Sequence, residues 1–373
     1  MSMTAWRGLM AMALVAALVG GCGDGSGPVE DEGGASSEAP ASESSESSGS
    51  GKKACLVATG AGVNDRGFNQ SAWEGVQAGA KSAGLEPQYV QADQESDYTS
   101  ATQAFTKQPC RLIVTSSFAM TDATKTVAER TPDQQFAIVD VSYDPPIDNV
   151  RGLVFDAGQA SFLAGYLAAG MSESGVVATY GGQKIPPVTL FMDGFAGGVT
   201  HYNEVREAEV RLLGWNKAGQ DGTFVGNFTD QAKGKQIARG FMDQGADVIF
   251  GLGGLPDLGA IAAIQEDGGG NVKMIWPNTD GCESLPDACA VMLTSVLKNI
   301  AVATKGVVEE AAAGEFESGV YVGTLANDGV GLAPFHEFED EVPAELAQEL
   351  EDVKEQIVSG SLTVTSAAAP KAG

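Results

Sequence analysis

The chain has 373 residues, of which 49 are acidic and 22 are basic, so its formal net charge is −27 at pH 7. This balance argues against a nucleic-acid partner, because a protein that binds phosphate backbones needs clustered lysine and arginine. A surface with a strong excess of one sign mainly keeps a protein soluble.

The N-terminal residues are typical of an export signal. Arg7 precedes an apolar run from Leu9 to Val19, which is too short to span a bilayer and suits the core of a signal peptide. The run ends in small residues before Cys22, as a bacterial lipoprotein signal requires for cleavage and lipid attachment. We therefore expect a lipoprotein signal peptide over residues 1–22, with the lipid on Cys22; the alternative is an ordinary secretory signal with an incidental cysteine.

Residues 23–52 are mostly serine, glutamate and glycine. This composition cannot bury enough apolar surface to offset its ordering entropy, which predicts a flexible linker. Roughly 320 residues follow, more than one hydrophobic core usually organises, so two lobes are expected.

Short apolar runs rich in β-branched residues alternate with amphipathic stretches through the rest of the chain. The predicted strands are 54–58, 88–91, 112–115, 136–141, 150–154, 176–180, 222–227, 248–250 and 273–276. The predicted helices are 71–83, 98–108, 160–171, 192–208, 231–244 and 256–265. Strands without polar alternation, each followed by a helix, indicate an α/β protein with parallel sheets covered on both faces.

Ligands of such sheets bind outside the carboxyl ends of the strands, so residues that follow a strand are candidates for function. After the first strand, a glycine-rich segment that begins at Thr59 leads to Phe68 and Asn69. An aromatic ring beside an amide that can donate and accept hydrogen bonds suits a heteroaromatic base. The alternative for Phe68 is a core residue at the start of a helix.

Acidic residues and glycines follow other strands. Asp140 and Asp280 each come after a predicted strand, where a carboxylate can hold sugar hydroxyls or, alternatively, cap the next helix. Gly253 and Gly254 precede a predicted helix and would expose backbone donors. Pro256 stands where a dinucleotide fingerprint has its third glycine, and the sequence has no phosphate-loop signature, so no cofactor is predicted.

Five cysteines in an exported chain divide into one lipid site and two pairs. Cys282 and Cys289 flank a turn-like segment and are expected to form a disulfide. Cys55 and Cys110 lie beside predicted strands of the first lobe, where a second disulfide would join neighbouring strand ends. Two buried free thiols are the alternative for this second pair.

Five segments match the pattern of one family in the same order along the chain. They are 64–75, 162–169, 228–234, 245–250 and 293–298, with the sequences NDRGFNQSAWEG, FLAGYLAA, FTDQAKG, GADVIF and LTSVLK. From about Lys53 to Val364 the chain resembles the basic membrane protein (BMP) lipoproteins, which include purine-nucleoside receptors of ABC importers. The resemblance implies two doubly wound parallel-sheet lobes joined by a three-strand hinge, the type I periplasmic-binding-protein fold. Lobe 1 would comprise 53–155 and about 281–312, and lobe 2 would comprise 156–280 and about 313–366.

The resemblance also implies roles for individual residues. Phe68 and Phe228 would sandwich a base whose edge is hydrogen-bonded by Asn69. A ribose would be held by Asp140, Asp280 and Lys298. Further ligand contacts would come from Asn64, Asp65, Gly253 and Gly254. Thr59 stands where nucleoside receptors of the family usually carry an aspartate, and residues 115–118 stand where relatives tend to have glycine, so both places bear on ligand identity.

We therefore predict an extracytoplasmic solute-binding lipoprotein that delivers a nucleoside-like molecule to an ABC permease. It would be a monomer, held by the Cys22 lipid at the outer face of the cytoplasmic membrane or on the periplasmic side. An enzyme is not predicted, because His201 and His336, the two histidines of the chain, fit neither metal-site nor catalytic-triad spacing. The same reasoning predicts no metal. The alternatives are a hydrolase or phosphorylase acting on nucleosides, and an anchored ligand sensor.

Overall fold

The computed structural model describes residues 52–267 and 271–370. The strands are β1 (Lys53–Thr59), β2 (Glu86–Ala92), β3 (Cys110–Thr115), β4 (Gln135–Val139), β5 (Val150–Phe155), β6 (Val176–Gly181), β7 (Arg211–Leu213), β8 (Trp215–Asn216), β9 (Asp221–Gly222), β10 (Val248–Leu252), β11 (Lys273–Asn278), β12 (Met292–Lys298), β13 (Gly319–Gly323) and β14 (Val330–Leu332). The helices are α1 (Phe68–Ala83), α2 (Glu95–Phe105), α3 (Thr121–Arg130), α4 (Ala157–Met171), α5 (Pro186–Arg206), α6 (Gln231–Met242), α7 (Leu255–Asp267), α8 (Gly281–Ser284), α9 (Ile300–Ala313) and α10 (Ala344–Ser359). The predicted signal peptide, the lipid site at Cys22 and most of the predicted linker lie outside these residues.

The first sheet is parallel throughout, with the strand order β13-β5-β4-β3-β1-β2. Alternate residues of β1 enter different cores: Leu56 and Ala58 pack with α1 and α9, whereas Cys55 and Val57 pack with α2 and α3. All four side chains are fully buried. The run without polar alternation is therefore explained by helices on both faces of the sheet.

The second sheet has the order β14-β12-β11-β10-β6-β7 and is parallel except for β14, which pairs antiparallel with β12. Helices α4 and α5 pack against each other on one face, where Phe195 and Phe250 are buried together. Helices α6 and α7 cover the other face, where Ile249 and Met274 are buried. The predicted α/β fold with two doubly wound sheets is confirmed.

The chain passes between the two sheets three times: after β5, after β12, and between β13 and β14. Backbone hydrogen bonds join these crossings, since the N–H of Asp156 donates to the carbonyl of Gly323 (2.7 Å) and that of Asn299 donates to Gly329 (2.9 Å). The predicted lobe boundaries differ from this pairing. Strand β12, predicted to lie in lobe 1, pairs with β11 of the second sheet, and β13, predicted to lie in lobe 2, pairs with β5 of the first.

Two predicted elements need correction. Residues 222–227 do not form one strand: Asp221–Gly222 pairs with Trp215–Asn216, and Phe224 makes only an isolated parallel bridge to Gly181. Helix α5 begins at Pro186, six residues before its predicted start. A proline is well placed in the first turn of a helix, where its missing N–H would have no partner.

The structure contains both of the predicted disulfides within the described residues. Cys55 and Cys110 join β1 to β3 with their Cα atoms 5.9 Å apart, and Cys282 and Cys289 close a short segment with Cα atoms 4.6 Å apart. Over residues 52–267 and 271–370, no helix has the length and apolar character needed to cross a membrane.

Candidate ligand-binding cleft

The carboxyl ends of strands from both sheets surround a cleft of about 470 Å³. We call the lining residues carried by the first sheet and its loops the first wall, and those carried by the second sheet and its loops the second wall. Eight predicted site residues line the cleft: Thr59, Asp65, Phe68, Asn69, Asp140, Phe228, Gly254 and Lys298. Asn64, Gly253 and Asp280 are not among the described residues that line it.

On the first wall, the carboxylate of Asp65 is hydrogen-bonded to the backbone at the start of α1. Its carboxylate accepts hydrogen bonds from the backbone N–H groups of Gly67 (3.1 Å), Asn69 (2.8 Å) and Gln70 (3.0 Å). Burial raises the pKa of Asp65, and these backbone donors act in the opposite direction. Asp65 therefore satisfies the otherwise unpaired N–H groups of a helix terminus, which fixes the position of Phe68 at the first residue of α1. The neighbouring Asn64 is exposed to solvent.

Asn69 is buried and is held by groups at the ends of two strands. The hydroxyl of Ser116, just after β3, donates to Oδ1 of Asn69 (2.6 Å). Nδ2 of Asn69 donates to Oγ1 of Thr59 (3.4 Å), the last residue of β1. The amide plane is thus fixed by its surroundings, and Asn69 and Thr59 reach the cleft together.

An ion pair connects the two walls at the base of the cleft. Nζ of Lys298, the last residue of β12, lies 2.6 Å from Oδ2 of Asp140, which follows β4. The side chains are only 2% and 8% exposed, respectively. Burial lowers the pKa of Lys298, and the Asp140 carboxylate partly offsets this. Asp140 has a left-handed backbone with φ of 67°, a conformation that aspartate tolerates better than most residues and that is found at functional sites.

Three aromatic rings surround the ammonium group of Lys298. Its Nζ lies 5.0 Å from the ring centroid of Phe68, 5.5 Å from that of Phe155 and 5.6 Å from that of Phe191. A cation over aromatic faces is attracted by the ring quadrupoles. Phe68 is therefore tied to the charge pair as well as to α1.

Phe228 supplies an aromatic ring to the second wall. The ring packs against Gly182, where a Cβ atom would lie 2.3 Å from Cδ1 of Phe228, so only glycine leaves room for it. The carbonyl of Phe228 accepts from the N–H of Leu255, the first residue of α7 (3.2 Å). The position of the ring thus depends on the glycine turn before α7.

Asp257 holds that glycine turn. Its carboxylate accepts from the N–H groups of Gly253 (2.9 Å) and Gly254 (3.0 Å) and from the hydroxyl of Tyr180 (2.6 Å). Burial raises the pKa of Asp257 to about 7, although these donors act in the opposite direction. The prediction that both glycines offer backbone donors to a ligand therefore needs correction, because Asp257 already accepts from these two N–H groups.

Asp280 lies away from the cleft lining and serves α8. Its Oδ1 accepts from the N–H of Cys282 (3.0 Å), and its Oδ2 lies 2.8 Å from Nε2 of His336. Asp280, Cys282 and His336 have potential metal-ligand atoms within 4.8 Å of one another. The sulfur of Cys282 is bonded to Cys289, however, so it offers no thiolate.

Sequence reasoning missed several polar groups of the cleft. Asp93 and Glu95 follow β2, and Gln183 follows β6. The rule that directs attention to the carboxyl ends of strands would have found these residues if it had been applied to every strand. Phe191, which lies within α5, carried no such signal.

The fold and the cleft define a two-lobed solute-binding protein of the type I periplasmic-binding-protein class. A crystal structure of ABC transporter solute-binding proteins from Aeropyrum pernix is similar, with a TM-score of 0.76 and 23% identity over 83% of this chain and 92% of that one. The model of the Bmp family, described as ABC transporter substrate-binding protein PnrA-like, matches residues 52–367, and the chain belongs to this family.

Curated relatives agree with this assignment. The ABC transporter nucleoside-binding protein BmpA of Lactococcus lactis is 27% identical over 335 residues, which cover 84% of this chain and 89% of the relative. The CD4+ T-cell-stimulating antigen of Listeria monocytogenes is 30% identical over 325 residues, covering 83% and 87%. The chain is therefore an ABC transporter substrate-binding protein. Proteins of this class bind a small molecule and deliver it to a permease.

Proposed function

We propose that the small molecule is a nucleoside. The observation that carries this proposal is that Phe68 and Phe228 line one cleft from opposite walls, with Asn69 and the Asp140–Lys298 pair in the same lining. Two aromatic rings favour a flat base, and the polar groups favour a base edge and a sugar. The name of the Lactococcus lactis relative, a nucleoside-binding protein, supports the same ligand class.

Each wall would contribute a different part of the recognition. Asn69 and Thr59 would contact the base edge. Lys298 donates to Oδ2 of Asp140, which leaves Oδ1 of that carboxylate positioned to accept from a ribose hydroxyl. Because contacts come from both walls, the ligand would bind a closed arrangement of the lobes better than an open one and would shift the population towards it.

We further propose that the protein is a carrier without catalytic activity and that the lipid on Cys22 holds it at the outer face of the membrane. The small residues that precede Cys22 support the anchor. Replacing Cys22 by serine should move the protein from the membrane fraction to the soluble fraction without changing ligand affinity. Retention in the membrane fraction would exclude this anchor.

Calorimetric titration of the Cys22→Ser protein tests the ligand class. The ligands are inosine, guanosine, adenosine, cytidine and uridine, with ribose and the free bases as comparisons. Nucleosides should bind more tightly than either part alone. Phe68→Ala and Phe228→Ala should each weaken binding by about 1–3 kcal/mol, the usual contribution of a stacked base.

Tyr89→Ala is the matched control, because this aromatic side chain is 44% exposed and packs on Trp73 rather than in the cleft. It should leave nucleoside affinity unchanged. Absence of binding by all five nucleosides, or unchanged affinity in both phenylalanine variants, would reject the proposal. Chromatography of the nucleoside after incubation tests the enzyme alternative: we expect unchanged nucleoside, whereas release of free base would show a hydrolase or phosphorylase.

A further inference from the structure

The amide of Asn69 has a defined orientation in the cleft. Its oxygen accepts from Ser116, which is fully buried and is not among the described residues that line the cleft. Its nitrogen points towards Thr59, which does line the cleft. The oxygen therefore faces the protein interior and the N–H₂ group faces the cleft.

The short contact between Asn69 and Ser116 supports this orientation over the flipped one. The two atoms are 2.6 Å apart, which lies within the range of an O–H···O bond and below the usual range of an N–H···O bond. If the amide were turned by 180°, its nitrogen would occupy this short contact. The hydroxyl of Ser116 also lies 3.2 Å from the carbonyl of Val57, a longer and weaker alternative acceptor.

Thr59 adds a second donor beside the amide. Its Oγ1 accepts from Nδ2 of Asn69, so its own hydroxyl hydrogen is directed elsewhere and can point into the cleft. The neighbouring carboxylate of Asp65 is already engaged, since both of its oxygens accept from backbone N–H groups at the start of α1. Two adjacent donors thus face the place where a base edge would lie.

We infer that Thr59, Asn69 and Ser116 select nucleosides of 6-oxopurines over adenosine. The inference rests on the proposed nucleoside function. The N7/O6 edge of guanine or hypoxanthine offers two acceptors, whereas the same edge of adenine offers the acceptor N7 and the donor N6–H₂. A free asparagine reads adenine by donating and accepting at once. Ser116 takes the acceptor of Asn69, so Asn69 presents only its N–H₂ group to the base, beside the hydroxyl donor of Thr59.

Titration with inosine, guanosine and adenosine tests the inference. Inosine and guanosine should bind about tenfold more tightly than adenosine, or more, because adenine would place a donor against a donor. Thr59→Val keeps the shape of the side chain and removes its hydroxyl. It should weaken inosine about tenfold and adenosine by less than about threefold.

Ser116→Ala separates this inference from a general effect on the cleft. With the serine hydroxyl gone, the amide of Asn69 can turn, so the ratio of adenosine to inosine dissociation constants should fall towards one. Phe68→Ala is the matched comparison, because loss of stacking should weaken both ligands and preserve their ratio. A ratio measured within one protein sample does not depend on the fraction that is correctly folded.

The outcomes distinguish failure of the inference from failure of the proposed function. If no nucleoside binds, both are wrong. If nucleosides bind but adenosine is as tight as inosine or tighter, the nucleoside function stands and the inference is wrong, because the amide then presents its oxygen to the ligand. An unchanged ratio in both Thr59→Val and Ser116→Ala would also overturn it.

Discussion

The two walls of the cleft use similar residues in different ways. On the first wall, Asp140, which follows β4, and Asn69, in the first turn of α1, both line the cleft. On the second wall, the acids after the strands bond to their own backbone: Asp257 binds the glycine turn and Asp280 caps α8. Asp65 shows that the first wall contains such a helix-start acid too.

The difference teaches that position after a strand is insufficient to identify a ligand contact. In an α/β fold the residue after a strand is also close to the start of a helix, whose first N–H groups need acceptors. A carboxylate within reach of these groups is used by the backbone, whereas one beyond their reach is left for a ligand or an ion pair. Asp140 belongs to the second kind, since it pairs with Lys298 across the cleft.

Removing the Asp140–Lys298 ion pair between the walls should produce the largest change in the free energy of unfolding. Lys298→Met leaves the Asp140 carboxylate buried without its cation, which should lower the free energy of unfolding by about 3–5 kcal/mol. Urea denaturation measures this loss. The double variant Lys298→Met with Asp140→Asn should recover part of it, because no unpaired charge then remains.

Lys305→Met is the control for this variant. Lys305 pairs with Glu309 at 2.7 Å on the surface of α9. The two side chains are 45% and 35% exposed, respectively. Its loss should cost less than about 0.5 kcal/mol. Equal effects of the two lysine substitutions would show that the pair between the walls has no special importance.

The helix-start acid of the second wall should make stability depend on pH. Burial raises the pKa of Asp257 to about 7 in the folded protein, above its value in the unfolded chain. The folded state therefore holds this proton more tightly, so the associated stabilisation is complete below about pH 4 and is lost as the pH rises to about 7. Relative to Asp257→Asn, the wild type should lose up to about 1.4 kcal/mol per pH unit within this window.

Urea denaturation of both proteins at several pH values from 4 to 8 measures this difference. Tyr180→Phe sharpens the test, because the tyrosine hydroxyl donates to the carboxylate and holds the pKa of Asp257 lower than burial alone would. Its removal should move the upper end of the window to higher pH. Parallel pH profiles for wild type and Asp257→Asn would mean that Asp257 stays ionised in the folded protein.

Much of the fold could be predicted from the sequence because the central strands are buried on both faces and read as uninterrupted apolar runs. Pattern alone could not say which sheet a late strand joins. Strands β12 and β13 are not among the predicted strands, and only their pairing with β11 and β5 assigns them to a sheet. The lobe boundaries after residue 280 were wrong for this reason.

The candidate site could be predicted where a side chain is unable to form hydrogen bonds with the nearby backbone. Aromatic rings such as Phe68 and Phe228 cannot cap a helix, and both line the cleft. Carboxylates and glycine N–H groups can serve the backbone, and their use depends on distances that a sequence does not contain. Ser116 was noted only within a short segment, although it determines which atom of Asn69 faces inward.

Apart from the Lys305 control, substitution of Asp280 should have the smallest effect on stability. It distinguishes the helix-capping role seen in the structure from the ribose contact that the family resemblance implies. Asp280→Ala removes a cap and a partly exposed pair with His336, which should lower stability by about 1 kcal/mol. Nucleoside affinity should change less than about twofold, whereas Asp140→Ala should weaken it about tenfold or more, because Asp140 lies in the cleft. Calorimetric titration of both variants against inosine measures the contrast. If the two substitutions weaken binding equally, Asp280 reaches the ligand when the lobes close, and the two walls hold the sugar with one acid each.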